Sequence, residues 1–85
     1  MNIVASKQFK KSYDKLSHQV RIKTKKAIGL LQKDFFYPSL HTKKMEGNNF
    51  WEARIDRSYR FTFKKKEETI TLRTVKQHDE GLGNK

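Results

Sequence analysis

Hydrophobic positions along this chain change period once, at Pro38. Before it they recur every three to four residues; after it they alternate. Residues 2–5, Asn-Ile-Val-Ala, read as a short opening strand. Ser6 is placed to cap a helix, because its hydroxyl can accept from an amide two or three residues on. Phe9, Tyr13 and Leu16 then fall on one helical face. Ser17 is a second candidate cap. Behind it Val20, Ala27, Leu31 and Phe35 form another stripe, widened by Ile28 and Leu30. Gly29 weakens this helix by about 1 kcal/mol relative to Ala. Pro38 excludes helical geometry at Tyr37, so the helix ends near residues 34–36. Two helices with a short joint form a helical hairpin over roughly residues 6–36.

Beyond Pro38, Trp51, Ala53 and Ile55 alternate with Glu52, Arg54 and Asp56. Tyr59, Phe61 and Phe63 alternate with Arg60, Thr62 and Lys64, and Ile70 and Leu72 with Thr71 and Arg73. These are half-buried antiparallel strands. Residues 43–45 add a short one before the Glu46-Gly47-Asn48-Asn49 turn. The expected class is α+β: a short N-terminal strand, a helical hairpin, then an antiparallel sheet of three to four further strands reaching about residue 78. Residues 1–85 form a single domain with a loose tail at 80–85.

Parity sharpens the register, since directly opposed side chains share a face. Core positions are odd in the strands of Trp51 and Phe61, so their loop has an odd count; Arg57-Ser58-Tyr59 satisfies it. Core positions turn even at Ile70, so the next loop has an even count; Lys66-Glu67 is the shortest. That register sets Phe63 opposite Ile70, Phe61 opposite Leu72, and Arg60 opposite Arg73. The helices then cover Trp51, Ile55, Phe61, Phe63 and Leu72. Arg54 joins Arg60 and Arg73 on the other face. Opposed arginines destabilise a ladder unless an anion lies between them or carboxylates such as Glu52 and Asp56 neutralise them.

Composition adds a polyanion to this picture. The chain has 85 residues and a net charge of +11, with 34% hydrophobic residues and ten aromatics. Its core is therefore thin, and a partner would add stability. Residues 1–45 carry net +9 and the remainder +2. A chain this basic fits nucleic acid, an anionic membrane or an acidic protein. Without cysteine there is no disulfide, thiolate metal site or Cys nucleophile, which suits the cytoplasm. No apolar run approaches the roughly 18 residues of a membrane span, and Lys7, Lys10 and Lys11 preclude a signal region. His18, His41 and His78 are too far apart to suggest a metal site, and no phosphate-binding glycine loop occurs. His18 reads as an exposed helix-start residue and His41 as a loop residue.

Four segments in order carry a resemblance. They are Tyr37-Pro38-Ser39-Leu40-His41-Thr42-Lys43-Lys44-Met45-Glu46-Gly47, then Phe50-Trp51-Glu52-Ala53-Arg54-Ile55, then Ser58-Tyr59-Arg60-Phe61-Thr62-Phe63, then Val75-Lys76-Gln77-His78-Asp79. With the strand and two basic helices ahead of them, they resemble the RelE/ParE superfamily of toxins from toxin–antitoxin systems. Lys76 departs from the pattern, where glycine is usual, as does Glu46, where Lys or Arg is frequent. The resemblance implies a cytoplasmic, ribosome-dependent endoribonuclease that cuts mRNA without metal or cofactor and is restrained by a small acidic antitoxin.

The ribose 2′-hydroxyl would attack the adjacent phosphate, needing a base, an acid and cationic donors for the transition-state charge. By resemblance Arg60 and Arg54 would be those donors, His78 the acid or base, and Glu46 a carboxylate base. Lys43, Lys44, Arg73 and Lys76 would hold RNA. Strict alternation turns His78 toward the core, away from Arg73, unless a bulge after Val75 or an early strand end reorients it. The plainer readings make His78 a strand-end neighbour of Asp79 and Glu46 a turn residue neutralising Lys43 or Lys44. A ParE-like inhibitor of DNA gyrase and a non-catalytic basic RNA-binding module are the alternatives. The apolar alternates Phe50 and Val75 are expected on the open face, where an antitoxin would cover them. Its acidic residues would meet Lys23, Lys25, Lys26 and the sheet arginines.

Overall fold

A computed structural model describes residues 1–77. Strand β1 (Asn2–Ala5) leads into helices α1 (Lys7–Asp14) and α2 (His18–Lys33). A 3-10 turn at Pro38–Leu40 precedes β2 (Lys43–Lys44), β3 (Trp51–Arg54), β4 (Tyr59–Lys66) and β5 (Thr69–Gln77). The five strands lie in the order β1-β5-β4-β3-β2. All neighbours are antiparallel except β1, which runs parallel to β5. The expected α+β architecture is present; the parallel pairing of β1 is the addition.

Both serine caps form. The Ser6 hydroxyl accepts from the Phe9 amide at 3.0 Å and that of Ser17 from Val20 at 3.3 Å. The apolar helix stripes converge on one sheet face, where Phe9, Ala27, Leu31, Ala53, Phe61, Phe63, Ile70 and Leu72 are buried. Phe35 closes the end of this core, its ring edge-on to Trp51 at 5.0 Å and to Phe63 at 5.8 Å.

Both hairpin loops have the expected length, but each is displaced by one residue. The Ile55 amide donates to the Tyr59 carbonyl, leaving Asp56-Arg57-Ser58 as the first loop. The Asp56 carboxylate holds it there by accepting from the Ser58 and Tyr59 amides at 2.8 and 2.9 Å. The second turn is Glu67-Glu68, since Lys66 pairs with Thr69, and Glu67 takes φ +54°.

A β-bulge changes the rest of the register. Phe63 pairs with Leu72 and Thr62 with Thr74, so Arg73 is the extra residue. The displaced turn alone sets Phe63 opposite Leu72 rather than Ile70, and the bulge then carries Phe61 to Val75 rather than Leu72. Arg60 faces Lys76, not Arg73. Two serines of the first helical segment pair the bulged backbone. The Ser6 hydroxyl donates to the Arg73 carbonyl at 3.4 Å, and the Val75 amide donates to the Ser12 hydroxyl at 3.0 Å. Because the bulge inverts parity, Val75 turns inward and is only 6% exposed, against the expectation of an open-face position. His78 and the expected tail at 80–85 lie outside the described residues.

Candidate active site

The sheet face away from the helices carries the functional cluster. Arg54 and Arg60 are directly opposed across β3 and β4, so two like charges share one rung. Both guanidinium groups donate to the Asp56 carbonyl, Arg54 from Nε at 3.4 Å and Arg60 from Nη1 at 3.3 Å. Glu52, two pairs along on the same face, lies 4.0 Å from Arg60 Nε and 3.9 Å from Lys43 Nζ. One carboxylate thus faces cations from both β2 and β4.

Arg54 Nη1 lies 3.2 Å from His41 Nε2. A guanidinium only donates, so a hydrogen bond here has His41 Nε2 as its acceptor. His41 reaches this position through local backbone geometry. Pro38 starts the 3-10 turn, Leu40 anchors it at 1% exposure, and His41 ends it in the left-handed region at φ +48°. His41, Thr42, Lys43, Glu52, Arg54 and Arg60 line an open cleft of about 400 Å³. The buried Thr42 hydroxyl beside it has no hydrogen-bond partner among the described residues. A second cleft of about 480 Å³, on the α2 side, shares the rim formed by His41 and Arg54.

The Asp56 carboxylate faces this second cleft, 3.3 Å from Lys23 Nζ. Its partial burial would raise its pKa. The Ser58 amide, the Lys23 ammonium and the Tyr59 amide outweigh that and hold the carboxyl below the ordinary carboxylate value. It therefore neutralises Lys23 and the loop amides, while only its backbone carbonyl serves the arginines.

This architecture has well-defined relatives. The description of a ParE-like toxin domain fits residues 18–80 as a family match. The chain belongs to the ParE-like toxin domain family. That places the domain in the RelE/ParE superfamily of toxin–antitoxin toxins. Among solved structures, the YoeB/ParE toxin from Agrobacterium tumefaciens superposes with a TM-score of 0.75 at 15% identity, covering 92% of this chain and 99% of that one. YafQ from E. coli gives 0.76 at 13% identity, covering 91% and 92%. The toxin of the RelB-RelE antitoxin-toxin complex from Methanococcus jannaschii gives 0.73 at 23% identity, covering 95% of each chain. No curated protein matches the chain in sequence.

Within this ParE-like domain the expected site residues separate into groups. Arg54, Arg60 and Lys43 gather at one cleft. Lys76 faces Arg60 from β5 and is exposed. Arg73 is displaced by the bulge: its guanidinium stacks on the Phe50 ring at 3.6 Å and reaches the Thr62 hydroxyl at 3.4 Å. The expected three-arginine convergence is therefore a pair plus a neighbour. Phe50 is half-buried beneath that guanidinium rather than a bare apolar position.

Lys44 pairs with Trp51 and so projects to the helix side of the sheet. Glu46 is exposed in the turn beyond that pair, which is itself about 10 Å along β3 from Arg54. It is not among the residues lining the arginine cleft. His41, read from the sequence as a loop residue, is the imidazole that meets Arg54. The available signal was Pro38 three residues ahead of it, which sets a tight turn, followed by Leu40 as an anchor.

Proposed function

We propose that this ParE-like toxin cleaves mRNA at the ribosome by transesterification, with its positive sheet face as the catalytic surface. The observation that carries the reading is the opposed Arg54–Arg60 rung with the His41 imidazole 3.2 Å from Arg54. A phosphate entering this cleft would draw both guanidinium groups, and Arg54 would then leave His41 Nε2 with a free lone pair. His41 takes the proton of the ribose 2′-hydroxyl. The 2′-oxygen bonds to phosphorus, and the bond from phosphorus to the 5′-oxygen breaks. The leaving oxygen takes a proton from an acid, giving a 2′,3′-cyclic phosphate and a free 5′-hydroxyl. Arg60 and Arg54 stabilise the added charge on the phosphorane oxygens. His78 is the candidate acid by family resemblance, and Lys43 and Lys76 flank the cleft as phosphate contacts. Glu46 is the weaker candidate base, given its position in the turn.

The net charge of +11 supports an acidic antitoxin as partner in the cytoplasm, and the relative from Methanococcus jannaschii was solved with its antitoxin. The family description equally brings in a second reading, ParE-like inhibition of DNA gyrase, which needs no acid–base set. One parallel assay separates them: translating ribosomes with a defined mRNA, and gyrase with supercoiled DNA. The proposal expects cleaved mRNA, blocked by a 2′-deoxy substitution at the cut position. His41→Gln should slow cleavage on the order of 10²-fold. Loss of supercoiling activity with intact mRNA would overturn it.

A further inference from the structure

A second basic cleft lies at the other end of the sheet, and the chemistry proposed above does not use it. It measures about 630 Å³ and is lined by Lys44, Phe50, Trp51, Lys64, Lys65 and Lys66, with the Asn48-Asn49 turn above. The three ion pairs of the described residues join Lys23 to Asp56 and Lys43 and Arg60 to Glu52. None involves these four lysines. Glu67 and Glu68 occupy the adjoining turn and do not line the cleft.

Aromatic rings are interleaved with the cations. Lys64 Nζ sits 5.4 Å from the Phe50 ring and Lys65 Nζ 5.7 Å from that of Phe35. Phe36 stands edge-on to Trp51 at 6.3 Å and is 63% exposed, although it belongs to an otherwise packed aromatic group. Ammonium groups beside an open ring match the two parts of a single-stranded nucleic acid, its phosphates and its base faces. An acidic peptide would use the first and leave the second bare.

The cleft lies along β3 from the arginine site, though the two share no lining residue. Trp51 and Arg54 are the two ends of β3, about 10 Å apart. Arg73, stacked on Phe50, bridges the interval on the open face.

We propose that this cleft is a single-stranded RNA subsite, in which Lys44, Lys64, Lys65 and Lys66 hold phosphates flanking the cut position and Phe36, outside the lining but edge-on to Trp51, stacks a base at its margin. The assignment rests on the RNA-cleavage reading for its substrate, but its test does not depend on cleavage. Trp51 is the chain's one tryptophan and lines the cleft, so its fluorescence reports occupancy.

The titrant is a 2′-deoxy hexanucleotide, which lacks the attacking hydroxyl and stays intact. Saturable quenching of Trp51 is expected, weakening as salt rises. The double variant Lys44→Ala/Lys65→Ala should lower the logarithmic salt slope by about 1.4, at roughly 0.7 per single-strand phosphate. Phe36→Ala, at an exposed position, should weaken binding about tenfold with an unchanged circular dichroism spectrum. No quenching at low salt, quenching unchanged in both the lysine and Phe36 variants, or equal quenching by hexaglutamate would each overturn the subsite. Cleavage of mRNA without quenching removes the subsite alone; quenching without cleavage removes the cleavage reading and leaves the subsite.

Discussion

The two faces of one sheet divide the work between folding and the proposed chemistry. On the helix side Ala53, Phe61 and Phe63 are fully buried and carry no charge. On the other side the same strands present Glu52, Arg54, Arg60 and Thr62, with two arginines opposed where a fold selected for stability alone would place opposite charges. Adjacent residues thus serve opposite ends, because strand geometry sends them to opposite faces. The apolar face supplies the stability on which the charged face is built.

Substitutions should separate the two faces. Phe61→Ala removes a ring with no exposure and should cost about 3–5 kcal/mol. That is a large share of what a domain this size has, so cooperative thermal melting should be lost or shifted far down. Its neighbour Arg60→Ala should lower cleavage on the order of 10²- to 10³-fold with the melting temperature nearly unchanged. An Arg60→Ala protein that unfolds would show that the faces are not independent.

The Thr62 and Thr74 hydroxyls, 2.9 Å apart and buried, are the hydrophilic exception to an exposed outer face. Thr62→Val should cost about 1–3 kcal/mol by stranding the Thr74 hydroxyl, and adding Thr74→Val should recover part of it in a double-mutant cycle. Asp56 links the faces through its loop. Its folded pKa lies below the unfolded value, so its stabilisation is present above the unfolded carboxyl pKa and is lost as pH falls through the folded one. Urea midpoints of Asp56→Asn and the parent should therefore differ near neutrality and converge in acid. The smallest effect is expected outside both faces. A Cβ on exposed Gly29 of α2 meets nothing within 4 Å, so Gly29→Ala should raise stability by about 1 kcal/mol in thermal melts.

The sequence made the elements and their inward faces legible because both follow from period: Phe9 and Leu31 at helical spacing, Phe61 and Phe63 in alternation. Loop lengths followed from parity, but their placement did not. Asp56 chose the first loop by binding two amides, and nothing in residue order ranks that above a loop one residue later. The bulge at Arg73 was hidden for a different reason. It has no glycine to mark it, and its support comes from Ser6 and Ser12, more than sixty residues away. Of the site, Arg54 and Arg60 were legible as outward positions, and His41 was not, because its place depends on a left-handed residue at the end of a 3-10 turn.

The pairing of β1 with β5 has a consequence for how the protein comes into being. Asn2 must wait for Thr69, and Ser6 for the Arg73 carbonyl it supports, a separation of 67 residues. At roughly 5–20 residues per second of synthesis, that interval lasts on the order of 3–13 seconds. Throughout it the bulged strand facing Arg60 does not yet exist. A half-made chain therefore lacks the β5 side of the arginine cluster, and the toxin's sheet is complete only once β5 has joined β1 and β4.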